Sequence, residues 1–172
     1  APHFYLTTEI DMSEAVRLRT SLKLSDRVLA EVTYTHLLVK AVSVALQRHP
    51  RANAAIAKDA RVLKRDINIG IAVALDDGLI VAVLRNCEGR SLLEIADESR
   101  SLVDRVRTGN PRSEDLTGGT FTISNGGIYG SMLSTPILNP PQTGILGMHN
   151  IVERPVVKDN NIVIRPIMYL AL

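Results

Sequence analysis

The sequence predicts an α+β fold or a mixed-sheet sandwich with helices on one face, from three observations. Helix-period and strand-period segments follow one another without a strict strand–helix–strand order. Several strand pairs are joined by short turns rich in Asp, Asn and Gly. The apolar residues, 45% of the 172, are almost all aliphatic, with aromatics at 3% and no Trp. A core of Val, Ile, Leu and Ala suits sheets packed under helices. The length fits one domain over residues 1–172, large enough to bury a real core.

The elements follow in order. Residues 3–10 alternate and predict a strand. Asp11 with Glu14 has capping-box spacing and opens a helix through about Lys23, broken by Ser25-Asp26. Thr33 or Thr35 can cap the next helix, which Pro50 stops. Its polar residues His36, Lys40, Ser43 and Gln47 form one narrow stripe, so this helix is expected to be buried on most sides. Residues 52–57 and 61–64 predict short strands. In Ile67 to Leu75 large residues hold the odd positions and Asn, Gly and Ala the even ones. One face therefore packs and the other leaves room for close approach. Asp76-Asp77-Gly78 predicts a hairpin turn into a strand from Leu79 to Leu84.

Ser91 and Glu94 form a second capping box, opening a helix with Leu92, Ile95, Ala96, Leu102, Val103 and Val106 on one side. Gly109-Asn110-Pro111 ends it. Ser134 to Gln142 predicts an ordered, proline-rich loop. Strands follow at Thr143 to Met148, Ile151 to Val157 and Ile162 to Leu172, the last two joined by a turn at Asp159-Asn160-Asn161. The final run from Ile167 to Leu172 is apolar to its end, so the domain is expected to be C-terminally incomplete.

The candidate site is the stretch from Gly118 to Ser131. A strand core, Thr120 to Ile123, lies between glycine pairs, and Ser124 sits where it breaks into Asn125-Gly126-Gly127. Such a loop can be a tight turn between strands or can wrap a ligand. Both readings stand on the residues alone.

Several functions are disfavoured. The four histidines, His3, His36, His49 and His149, have no metal-ligand spacing, and Cys87 is the only cysteine, so no metal site and no internal disulfide is expected. Cys87 and His36 are expected to be structural. A net charge of +2, dispersed cations and few aromatics argue against a nucleic-acid partner. No apolar run approaches the ~18 residues of a membrane span. No phosphate loop, dinucleotide fingerprint or nucleophile elbow is present, and no general base is evident.

The runs Gly118 to Gly127, Gly130-Ser131, Ser134 to Ile137, Asn139 to Gln142 and Ile145 to His149 resemble the catalytic domain of the E2 acyltransferase component of 2-oxo acid dehydrogenase complexes. Leu38 to Ala41, His49-Pro50 with Asn53, Ile69 to Val73, Gly78 to Val81, Arg154-Pro155 and Arg165 to Leu172 fit the same family. The Asn125 to Gln142 block looks most like its succinyltransferase branch. The resemblance implies a chloramphenicol-acetyltransferase-like two-layer sandwich. It also implies homotrimers assembled into a cubic or dodecahedral core, with E1 and E3 components bound through lipoyl and subunit-binding domains that this sequence lacks. The implied reaction moves an acyl group between dihydrolipoamide and coenzyme A in the tricarboxylic acid cycle. The substrates are coenzyme A and a lipoyl group carried on another domain, with no covalent cofactor here. The implied compartment is the bacterial cytoplasm or the mitochondrial matrix. By this likeness Ser124 donates a hydrogen bond to the tetrahedral oxyanion, and Asn125, Gly126 and Gly127 bind substrate. The family's general base is a histidine in an Asp-His-Arg motif, which this sequence does not contain, so the chain alone is expected to be inactive. The alternatives are a non-catalytic core-forming scaffold, an acetyl or branched-chain acyltransferase, and a coenzyme A enzyme with a free small acceptor.

Overall fold

The computed structural model describes residues 2–25, 29–75 and 78–172. Asp26, Asp76 and Asp77, where a helix break and a hairpin turn were expected, lie outside them. The described elements are β1 (Thr7–Asp11), α1 (Ser13–Ser25), α2 (Tyr34–Arg48), β2 (Ala54–Ala57), β3 (Ala60–Leu63), β4 (Ile69–Leu75), β5 (Gly78–Leu84), α3 (Leu92–Arg107), β6 (Phe121–Asn125), β7 (Ile145–Met148), β8 (Val152–Lys158) and β9 (Asn161–Ala171). Seven strands form one sheet in the order β1-β9-β7-β6-β4-β5, with β8 also paired to β9. The central pairs β4–β6 and β6–β7 are parallel, and the flanking pairs are antiparallel. The short hairpin β2–β3 stands apart as a second sheet. The α+β class and the mixed sheet match the expectation.

Register divides the sheet into two faces. Ile69 lies beside Phe121 and Leu84, Ile71 beside Ile123 and Ala82, and Ile123 beside Leu146. Paired neighbours share a face, so these large residues form one continuous apolar surface. Val39 and Leu46 of α2 and Ile95, Leu102 and Val106 of α3 join them in the main core. The opposite face carries Gly70, Ala72, Thr122, Ser124 and Gly147, together with Val81, Val83 and Ile145.

Helix starts follow local chemistry. Ser91 accepts from the Glu94 amide, and the Glu94 carboxylate accepts from the Ser91 amide at 2.7 Å, the expected capping box. Thr33 caps α2, and its box is closed by His36, whose Nδ1 accepts from the Thr33 amide at 3.2 Å. At α1 the expected Asp11–Glu14 box does not form. Asp11 Oδ1 accepts from the Ser13 amide at 2.9 Å, and Glu14 pairs with Arg17 one turn on. The first strand begins at Thr7 rather than residue 3 because Leu6 is the first residue to pair, exchanging both backbone bonds with Leu172.

The expectation for α2 is overturned. Only Val39, Ser43 and Leu46 are buried, and Ala41 and Ala45 are exposed. The polar stripe is not simply a solvent face: Ser43 is buried, His36 and Lys40 are half-buried, and only Gln47 is exposed. Lys40 Nζ donates to the Arg90 carbonyl at 2.6 Å, and Gln47 Nε2 to the Glu88 carbonyl at 3.1 Å. The 3-10 turn Cys87–Gly89 and Arg90 beyond it offer carbonyls without sheet partners, and this stripe satisfies two of them.

Candidate active site

Strand β6 delivers Ser124 to the end of the sheet's centre. Thr122 and Ser124 face one way, and Phe121, Ile123 and Asn125 the other. Ile123 is 1% exposed in the core. Ser124 is half-buried, opposite Gly147 of β7, and its hydroxyl makes no hydrogen bond among the described residues. It is a preset donor on a rigid strand, with only glycine beside it on β7.

The loop behind it is held from the helix side. Asn125 Nδ2 donates to Thr35 Oγ1 in the first turn of α2 at 3.2 Å, and Asn125 Oδ1 accepts from the Gly127 amide at 3.0 Å. The Gly126 amide donates to the Met148 carbonyl at 2.9 Å. A 3-10 turn, Gly127–Tyr129, follows, and no long helix. Gly126 has φ −78°, so positive φ is not what these two glycines supply. Close approach is. A Cβ on Gly127 would lie 2.5 Å from the His149 carbonyl carbon and 2.6 Å from its oxygen. The polar groups of Asn125 and the amides of Gly126 and Gly127 are all engaged within the protein. These residues shape the loop, and the Ser124 hydroxyl is the donor left over.

Two grooves meet at Thr35, Asn125 and Ile128. One continues along Ala72 to Leu75 and the other to His149 and Ile151; Ser124 lines neither. Ile128 and Tyr129 stand exposed beside them at 66% and 70%.

None of the four histidines is a free base at Ser124. His149 is 2% exposed, and its Nε2 accepts from the Ser134 amide at 2.8 Å. Its Nδ1 lies 2.7 Å from the Tyr169 carbonyl, an arrangement that places the proton on Nδ1. The ring thereby ties the proline-rich loop and β9 to β7. His36 caps α2. Burial lowers its pKa, the Arg100 charge lowers it further, and Asp97 opposes both. His49 is the exposed C-cap of α2, and His3 stacks edge-on against Tyr5 at 5.1 Å. Cys87 is fully buried, and burial pushes its thiol up to about 11, so it is not a nucleophile at neutral pH. Among the described residues no group of three or more His, Cys, Asp or Glu could hold a metal ion, and no helix is long and apolar enough to cross a membrane.

Sequence reasoning found Ser124 and its loop but missed Thr35 as the loop's anchor. Its only signal was a hydroxyl beside a helix cap, and Asn125 is 90 residues away.

Known proteins place this geometry. The family model of the 2-oxoacid dehydrogenase acyltransferase catalytic domain matches residues 1–172. The dihydrolipoyllysine-residue succinyltransferase component of the 2-oxoglutarate dehydrogenase complex from Haemophilus influenzae is 45% identical over 171 residues, covering 97% of this chain. The chain spans 42% of that relative's length. The dihydrolipoamide acetyltransferase of Azotobacter vinelandii, with a serine, a histidine and an asparagine studied in its catalytic mechanism, superposes with a TM-score of 0.93 at 31% identity. That match covers 99% of this chain and 71% of the other. The cubic core of a pyruvate dehydrogenase multienzyme complex matches with the same TM-score, identity and coverage. Chloramphenicol acetyltransferase, at 14% identity and TM-score 0.53 over 98% of this chain and 78% of its own, shares the fold alone. The chain belongs to the 2-oxoacid dehydrogenase acyltransferase catalytic-domain family.

Proposed function

We propose that this domain transfers an acyl group, succinyl in the first instance, between dihydrolipoamide and coenzyme A. The observation that carries the proposal is Ser124. It is a hydroxyl with no hydrogen-bond partner among the described residues, fixed on a central strand at the mouth of a glycine loop whose other polar groups are engaged. In the reaction a histidine base from outside the four in this chain takes the proton of the attacking thiol. A free thiol titrates near ~8.5, so at neutral pH it needs that help. The thiolate adds to the thioester carbonyl, and the carbonyl oxygen becomes an oxyanion that accepts a hydrogen bond from Ser124 Oγ. The intermediate then collapses, the other thiolate leaves, and the base returns the proton to it. Oxyanion donation of this kind is worth ~10²–10³ in rate.

The succinyl choice rests on the 45% identity to a succinyltransferase. In the same proposal the lipoyl group arrives on another domain, nothing is bound covalently here, and the domain assembles as homotrimers within a larger core. The likeness to a solved cubic core supports that assembly. E1 and E3 components bind through other domains of the complete protein.

The test is acyl transfer to dihydrolipoamide by the complete protein, with succinyl-CoA and acetyl-CoA compared. Preference for succinyl-CoA by at least about tenfold in kcat/KM supports the reading, and preference for acetyl-CoA replaces succinyl with acetyl. No turnover with either would favour a non-catalytic core scaffold.

A further inference from the structure

We propose that the β2–β3 hairpin and the turn leading into it form a docking surface for an acidic protein segment. Against the expectation of dispersed cations, residues 48–66 contain six, Arg48, Arg51, Lys58, Arg61, Lys64 and Arg65, against the two acids Asp59 and Asp66, while the whole chain nets only +2. All six cations are exposed. None of them forms an ion pair among the described residues. Elsewhere several cations are paired: Arg17 with Glu14, Arg100 with Asp97, Arg105 with Asp115, and Lys158 and Arg165 with Asp11. A concentrated, unneutralised positive field steers and holds a negative partner.

The surface is preformed. A two-stranded hairpin alone is marginal in water, and this one is bolted down. Buried Asn53 donates from Nδ2 to the Lys64 and Asp66 carbonyls, both at 3.1 Å. The Ile56 amide donates to the Pro141 carbonyl at 2.8 Å, and Thr143 Oγ1 donates to the Ala54 carbonyl at 3.2 Å. The same loop sends Gln142 to Thr122, whose Oγ1 donates to Gln142 Oε1 at 2.6 Å. Thr122 and Ser124 point to the same side of β6. The hairpin is thus fixed, through Gln142, to the sheet face that carries the Ser124 hydroxyl.

The occupant is protein rather than nucleic acid. Ile56, Val62 and Leu63 interleave with the cations and are 54%, 41% and 52% exposed. They offer apolar area that a phosphate backbone cannot bury. Residues 48–66 contain no aromatic side chain on which a base could stack. This binding proposal does not depend on the acyl-transfer reading.

The experiment is fluorescence anisotropy of a labelled glutamate-rich peptide with interspersed leucines, titrated with the unaltered chain and with variants. The unaltered chain binds at low salt, and binding weakens as salt rises. Arg61→Glu with Lys64→Glu weakens it about tenfold or more, while reversing Lys23 and Arg107, outside the patch, changes it by less than about twofold. Val62→Ser with Leu63→Ser weakens it as well. Circular dichroism and the melting curve of each variant check that the fold is kept. No binding by the unaltered chain, or equal binding by the Arg61/Lys64 variant with its fold intact, overturns the proposal. Tighter binding of an equally charged single-stranded DNA overturns it in favour of a nucleic-acid partner.

Discussion

Ile123 and Ser124 are neighbours on one strand and do opposite work. Ile123 lies on the helix-facing side of the sheet with Ile69, Ile71 and Leu146, sealed under α2 and α3. Ser124 lies on the other side, which Gly70, Ala72 and Gly147 share with Val81, Val83 and Ile145, and its own neighbour on β7 is glycine. The strand period of two lets one backbone serve both. The filled face holds the strand still, and the other face keeps a hydroxyl available. A donor preset by a rigid scaffold need not reorganise when charge develops on the substrate.

This contrast can be broken from either side. The largest effect on stability is expected on the filled face: Ile123→Ala removes a fully buried side chain and lowers unfolding free energy by ~2–5 kcal/mol in denaturant titrations. Next comes the Asp115–Arg105 pair under α3. Asp115 accepts from Arg105 at 2.8 and 2.9 Å and from the Arg112 amide, and the Arg105 bonds chiefly hold its carboxyl down at about 2. A depressed carboxylate stabilises the fold above its unfolded pKa of ~3.9, and that stability is lost as pH falls toward about 2. Asp115→Asn should therefore cost ~2–3 kcal/mol at pH 7 and flatten the acid limb of the stability curve below pH ~4.

On the loop, Gly127→Ala forces a Cβ against the His149 backbone, which cannot swing aside as a side chain end could. A loss of ~1–3 kcal/mol is expected, with a fall in turnover because the loop shifts. Thr35→Val deletes the acceptor for Asn125 while keeping the shape. It should speed hydrogen exchange at the Gly127 amide and cost ~0.5–1.5 kcal/mol, with Thr35→Ser restoring protection. The smallest effect is the pH response of His36. Its pKa is lowered in the fold, so its contribution is full above the unfolded value of ~6.5 and is lost as pH falls through the folded value. His36→Gln should remove that part of the pH dependence below the unfolded value of ~6.5 in thermal melts.

What the sequence made legible follows from local rules. The Ser91–Glu94 box, the alternation along β4 and the Asp159–Asn160 turn, with φ of 51° and 59°, are each decided within a few residues, and each formed where expected. The long-range features were hidden. Nothing local says that β4, β6 and β7 run parallel side by side. The stripe on α2 has the period of a solvent face, yet Lys40 and Gln47 bond to carbonyls near residue 90, far along the chain, that lack other donors. The loop glycines were identified, but their cause, the backbone of His149 pressed against Gly127, depends on a strand that begins beyond the proline-rich loop. Ser124 stood out by its place at the strand end. Its availability became visible only once the groups around it were seen to be engaged with one another.

Ser124→Ala in the complete protein, with acyl transfer and thermal stability measured on the same preparation, separates the hydroxyl's role in the reaction from any role in the fold. The expected result is a fall in kcat of ~10²–10³-fold, with KM and the melting temperature close to those of the unaltered protein. A kcat within about twofold of the unaltered value, or a loss of activity that follows a loss of fold, would contradict it.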